Sequence, residues 1–188
     1  DVPVMPRRDL RLIGGHNSEN ALAALTIGEA AGLGTGAMVQ ALRAFAGLGH
    51  RMESLGEHCG RLWINDSKAT NESAAVAAVA GLERSLVLIA GGDAKGQRFD
   101  GLASVLADRA RGVVVYGRDA PVLEQALAGQ VPLRVVDDLP SAVVEALHLS
   151  CPGDAILLSP ACASLDQFRD YRARGECFRQ QVEGLADG

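Results

Sequence analysis

Four short polar runs carry the residue types that could do chemistry. They are Asn65-Asp66-Ser67-Lys68-Ala69-Thr70-Asn71, Gly91-Gly92-Asp93-Ala94-Lys95-Gly96, Gly117-Arg118-Asp119 and Ser159-Pro160-Ala161-Cys162-Ala163-Ser164-Leu165-Asp166. Each follows an apolar run that reads as a strand. The chain has 18 basic residues and only two are lysines, Lys68 and Lys95, both inside these loops. Ammonium groups, small hydroxyls and the free N–H groups of helix starts together make an anion-binding edge. Lysine does little to cap a helix start, so both lysines point to a ligand. Asp93 and Asp119 read more plainly as helix caps. Asn17 and Asn20 lie three apart at a helix start, where side-chain amides suit either a purine edge or a cap. Arg51 follows His50 at a junction from which a guanidinium can reach a phosphate. The run around Gly91 is neither GxGxxG nor GxxxxGK[ST], so neither a nicotinamide fold nor a P-loop is supported there. His16, His50, His58 and His148 are scattered, and no Ser-His-Asp or Cys-His arrangement is legible.

The elements that must position these loops follow from periodicity. Continuous apolar runs at 61–64, 85–90, 112–116, 131–136 and 154–158 predict strands covered on both faces. Helical spacing at 71–81, 101–110, 119–128, 138–148 and 172–184 fills the gaps, and a strand at about 52–58 adds an edge. Strand and helix alternate five times. The prediction is an α/β domain with a Rossmann-like, mostly parallel sheet and helices on both faces. Its ligands would then gather beyond the carboxyl ends of the strands. Aromatic residues are 4% of the chain, so the core is predicted to be Leu, Val, Ile and Ala.

The first fifty residues read differently. Residues 1–13 are expected to supply a strand or an extended entry. Helical spacing at 18–32 precedes a turn at Gly32–Gly36. A second helix at 36–46, with Thr35 as a cap, is predicted to bury Met38, Val39, Leu42 and Phe45. Two short helices bury too little to fold alone. They are read as the helical tail of a truncated central domain (1–48), ahead of an α/β domain (49–188). The start at Asp1 fits a trimmed protein or a piece of a longer one.

Composition excludes several classes. With 23 acidic residues the net charge is -5, which argues against a nucleic-acid partner. The chain is 48% hydrophobic, too apolar for a disordered one. No apolar stretch reaches the length of a membrane span. The four cysteines, at 59, 151, 162 and 177, contain no CxxC pair, so no zinc site is expected and they read as reduced thiols of the cytoplasm.

The runs GGHNSENALAAL, GLGHRMESLGE, INDSKATN, IAGGDAKG, VVYGRD and LLSPACASLDQF closely resemble the Mur ligases over essentially the whole chain. SPACASLDQF resembles the branch that adds D-glutamate. The resemblance implies an ATP-dependent ligase of peptidoglycan synthesis. Its substrates are D-glutamate and UDP-N-acetylmuramoyl-L-alanine, with Mg2+ held by residues of a central domain not represented here. It implies that Asn17 and Asn20 contact adenine, Arg51 reaches the nucleotide phosphates, and Asp66 and Lys68 lie near ribose and phosphates. Arg51 and Lys68 would sense the nucleotide during catalysis. Thr70, Lys95, Ser164 and Leu165 would hold D-glutamate, and Tyr171 stands where the family often has Phe. It further implies that this stretch alone binds but does not ligate. Two readings stay open beside it: a non-catalytic α/β module binding an acidic metabolite, and a sibling ligase adding another amino acid.

Overall fold

The computed structural model describes residues 3–185. Six strands form one sheet in the order β1-β2-β6-β3-β4-β5. They are β1 (Glu53–His58), β2 (Arg61–Asn65), β3 (Leu86–Gly91), β4 (Ala110–Tyr116), β5 (Leu133–Val136) and β6 (Ala155–Leu158). β1 is the antiparallel edge, and the other pairings are parallel. The mostly parallel sheet and its edge strand are as predicted. β6 enters last yet lies between β2 and β3. This is where the strand order reverses and where an open α/β sheet forms a crevice.

The period of two along each strand separates two cores. Leu86, Leu88 and Ala90 of β3 face α3 (Glu72–Ala80), α4 (Asp100–Ala107) and α5 (Ala120–Leu127). Val87 and Ile89 face α6 (Leu139–Leu149) and α7 (Tyr171–Gly184), packing with Trp63, Phe178 and Val182. Helices therefore cover both faces. Asn71, Asp138 and Asp170 cap α3, α6 and α7, each accepting a backbone N–H three residues on.

Of the described residues before α1 (Gly15–Ala30), only Arg7–Asp9 is regular, as a single 3-10 turn between the extended Pro6 and Leu10, so the segment is an extended entry and not a strand. Beyond it the segment departs from its prediction in two places. Thr35 is the first residue of α2 (Thr35–Ala44) and caps nothing; Gly34 holds the cap position without a side-chain bond. Finally, α2 buries no residue: Met38, Val39 and Leu42 are half-buried and Phe45 is exposed. The reason is that α1 and α2 pack mainly on each other. With no second layer beyond them, Leu22, Ile27, Leu33 and Leu48 stay in water as well.

Candidate functional site

Strands β2, β6, β3 and β4 are adjacent, so their carboxyl ends deliver the four polar runs side by side. Backbone bonds knit the loops together. Gly91 N–H donates to Pro160 O (2.9 Å), Asp93 and Ala163 exchange both N–H···O bonds (2.9 Å each), and Asp119 N–H donates to Gly92 O (3.0 Å). Gly91 and Gly92 have φ of 141° and 125°, and a Cβ on either would overlap the Tyr116 or Ala163 carbonyl. Asp119 does not cap its own helix; its Oδ2 accepts Ala94 N–H at 2.7 Å. Asp93 accepts Lys95 N–H (3.0 Å) and pairs with Arg118 (3.4 Å). Both aspartates are loop ties, not helix caps.

A cavity of about 490 Å³ opens between α1, α2 and the start of α3. Asn17, Asn20, Arg51, Asp66 and Lys68 all line it, so residues spread over fifty positions meet in one hollow. Asn17 lies inside the first turn of α1 and is not its cap. Its Nδ2 donates to Ile13 O (2.7 Å), and its Oδ1 accepts from Asn20 Nδ2 (3.2 Å). Asp66 is 7% exposed. It accepts Met52 N–H (3.1 Å) and Ser159 Oγ–H (2.9 Å). Burial pushes its pKa up to about 6, against the pull of those bonds and of Arg51. Among the described residues, no carboxylate pairs with the side chains of Arg51, Lys68 or Lys95. Three unpaired cations on one edge are what an anionic ligand requires.

The second group of predicted residues lies on the same edge but outside this cavity. Thr70 is half-buried, Lys95 and Leu165 are exposed, and Ser164 is buried. Neither Thr70, Lys95, Ser164 nor Leu165 lines the 490 Å³ hollow, and Tyr171 does not either. Lys68, Lys95 and Ser164 therefore share a rim without sharing this pocket. The physical reason is that the loop after β6 is bonded down onto the loop after β3. This seats Ser164 as the acceptor for Gln167 and Phe168 N–H. Lys68 is held instead over the Tyr171 ring, with Nζ 4.2 Å from its centre.

Reading the sequence missed Arg174. It sits on α7, has no exposed surface, and pairs with no carboxylate among the described residues. Its guanidinium donates to Ser67 Oγ (3.0 Å), Ser67 O (2.9 Å), Cys162 O (3.0 Å) and Gly91 O (3.4 Å). One side chain thus pins the loops that carry Lys68, Ser164 and Lys95. Arg174 falls within a helical run rich in charged residues, and in such a run no periodicity distinguishes a buried arginine from a solvated one. As for metals, no group of three or more His, Cys, Asp or Glu residues is poised to hold an ion among the described residues.

The family model described as Mur ligase, glutamate ligase domain, matches residues 50–162. The chain belongs to the Mur ligase family. The UDP-N-acetylmuramoylalanine--D-glutamate ligase of Pseudomonas syringae pv. syringae is 51% identical over 187 residues, covering 97% of this chain and 42% of that protein. The protein of the same name from Chromohalobacter salexigens is 52% identical over 181 residues, covering 94% and 40%. The chain thus spans about two fifths of the length of the curated relatives it matches. Among solved structures, the UDP-N-acetylmuramate-alanine ligase of Thermotoga maritima aligns with TM-score 0.67 at 19% identity, over 93% of this chain and 39% of that one. A Mycobacterium tuberculosis folylpolyglutamate synthase complexed with ADP aligns with TM-score 0.67 at 20% identity, over 92% and 41%. At such identities these two show a shared fold alone.

Proposed function

We propose that the protein carrying this chain is an ATP-dependent ligase that joins D-glutamate to UDP-N-acetylmuramoyl-L-alanine in peptidoglycan synthesis. The supporting observation is the 490 Å³ cavity lined by Asn17, Asn20, Arg51, Asp66 and Lys68, beside a separate cationic rim at Lys95. Residues 49–188 would be the amino-acid-binding domain, and residues 1–48 the end of the nucleotide-binding one. The apolar side chains that α1 and α2 leave in water agree with such a division.

In this reading each residue has a chemical task. The Asn17 and Asn20 amides offer donors and acceptors to an adenine edge. The Asp66 carboxylate accepts from ribose hydroxyls once it is ionised. Arg51 and Lys68 neutralise phosphate charge. Lys95, Thr70 and the buried Ser164 hold the carboxylates of D-glutamate, whose two negative charges need at least one full cation and several N–H or O–H donors. Leu165 and Tyr171 supply its apolar contacts. The ligation itself transfers the terminal phosphoryl group of ATP to the substrate carboxylate. The amine nitrogen then bonds to that carbonyl carbon, inorganic phosphate leaves, and the amine proton passes to solvent. Positioning and charge neutralisation carry such a reaction, and no side chain here needs to act as a covalent nucleophile. Mg2+ is expected to accompany ATP. The described residues present no ligand cluster for it.

The test has two arms. A protein completed to the length of its relatives should release phosphate only when ATP, D-glutamate and UDP-N-acetylmuramoyl-L-alanine are all present. A panel of other amino acids at fixed ATP should give little release. The 188 residues contain no GxxxxGK[ST] run, so the isolated chain is expected to bind without ligating. Equal turnover with another amino acid, or ligation by this chain alone, refutes the corresponding part. No helix among the described residues is long and apolar enough to cross a membrane.

A further inference from the structure

The ring of Tyr171 joins three parts of the molecule. Its edge meets the His50 ring of the linker at 6.0 Å and 81°. Its backbone carbonyl accepts Ser67 Oγ–H (2.8 Å), and its hydroxyl accepts Arg172 Nε–H (3.2 Å). Its face carries the Lys68 ammonium at 4.2 Å. Lys68 lines the cavity and Tyr171 does not, so the ring sits behind the lysine as seen from the cavity. Lys68 N–H also donates to His50 O at 3.0 Å, which fixes the root of the lysine to the same linker residue that braces the ring.

We propose that Tyr171 is a positioning residue for Lys68. Its ring face holds the ammonium beside the cavity until a nucleotide phosphate takes it. The proposal rests on the nucleotide reading of that cavity. An ammonium with no carboxylate partner takes the negative face of a nearby ring, and a half-exposed contact of this kind is worth about a two- to fivefold change in an equilibrium. A phosphate oxygen bears formal charge and accepts a charge-assisted hydrogen bond, so it displaces the ring. Release is eased because the Arg172 guanidinium already lies 5.6 Å from the same ring. Two like charges then share one ring, which keeps one of them when Lys68 leaves. In the proposed function Tyr171 also contacts the amino acid, so the two ligand sites share this residue.

Two-dimensional NMR of the chain titrated with ATP tests this. In the ligand-free chain the Lys68 ε-methylene protons should be shifted upfield by the ring. Saturating ATP should return them toward the random-coil position while the Asn17 and Asn20 amides also move. Tyr171→Leu should abolish the upfield shift and tighten ATP by about two- to fivefold. Tyr171→Phe should keep both wild-type values, because the face and not the hydroxyl holds the ammonium. In a Lys68→Met background, Tyr171→Leu should leave ATP affinity unchanged. If Asn17 and Asn20 respond to ATP while Lys68 does not, the exchange is refuted and the nucleotide reading stands. If none of the three responds, the nucleotide reading is refuted and the exchange with it. Unchanged or weaker ATP binding by Tyr171→Leu also overturns the proposal.

Discussion

Replacing Arg174 sets two large effects against each other, and the structure decides which wins. The guanidinium is fully buried and has no carboxylate beside it among the described residues, so removing it relieves a desolvation cost. Buried ion pairs are often replaced by apolar groups without loss for that reason. Here, however, the partners are the Ser67, Cys162 and Gly91 carbonyls together with the Ser67 hydroxyl. Arg174→Met would strip these three main-chain acceptors, which cannot be exchanged for apolar groups. At roughly 1 kcal/mol or more for each buried acceptor left unsatisfied, less the relief of the charge, a net loss of about 2–4 kcal/mol is expected. Arg174→Lys keeps the charge but cannot span three loops, and should lose about 1–3 kcal/mol. Urea unfolding followed by Trp63 fluorescence measures both, since Trp63 is buried in the core that α7 covers. A binding titration with D-glutamate, under conditions where each variant remains folded, reads the rim. A Met variant as stable as wild type, with the rim unaffected, would show that desolvation outweighs the bonds and that Arg174 does not organise the edge.

Three further outcomes follow from the structure. The folded pKa of Asp66, about 6, stands above its ordinary 3.8, so the carboxyl contributes most to stability below pH 4 and loses that contribution as pH rises through 6. Relative to Asp66→Asn, wild type should weaken by about 3 kcal/mol between pH 3.5 and pH 7.5; parallel stability curves for the two proteins would contradict this. Lys95→Ala in the completed protein should raise the concentration of D-glutamate needed for half-maximal rate at least about tenfold, as loss of a charged hydrogen bond does, and leave that for the UDP substrate nearly unchanged. Equal effects on both substrates would remove Lys95 from the amino-acid site. Gly92→Ala should destabilise the chain by about 2 kcal/mol or more by melting curve, because its Cβ meets the Ala163 carbonyl at a φ only glycine adopts readily; a neutral result would show that the loop yields.

The sheet was legible because its central strands are apolar on both faces and α4 to α7 are amphipathic, so periodicity carried the fold. Lys68 in the cavity and Lys95 outside it were legible for a different reason: lysine is rare here, and both copies fall in strand-to-helix loops. Three features were not legible, each for a physical reason. Burial in α2 depends on what lies beyond it, and an apolar stripe at 38–45 has the same pattern whether or not a second layer covers it. Asp93 and Asp119 look like caps because any Asp before a helix does, and whether the carboxylate turns to its own helix or to the next loop is a tertiary choice. Arg174 belongs to a run, Tyr171-Arg172-Ala173-Arg174-Gly175-Glu176, whose charges resemble a solvated face; only the helix register shows that Arg174 and Gly175 point inward and Arg172 and Glu176 outward.

Residues His50–Met52 tie the cavity to the Tyr171 ring. His50 and Met52 both hold left-handed backbone, at φ 62° and 44°, which side chains with a Cβ adopt at a cost. Each is held there by a carboxylate of the α/β domain: Glu53 accepts His50 N–H (3.0 Å) and Asp66 accepts Met52 N–H (3.1 Å). Arg51, between them, is left on the cavity side. The His50 ring meanwhile contacts Asn65 (3.2 Å) and Tyr171, over Gly175, where any Cβ would collide with it. In the proposed function, a rotation of α1 and α2 about these residues would shift Arg51 at the nucleotide side and, through the His50 ring, be felt by Tyr171. Gly175→Ala should loosen that linkage without touching either ligand. It is expected to weaken the response of the Tyr171 ring resonances to ATP while leaving the Asn17 and Asn20 responses in place. A full Tyr171 response in this variant would mean that the linker transmits nothing through His50.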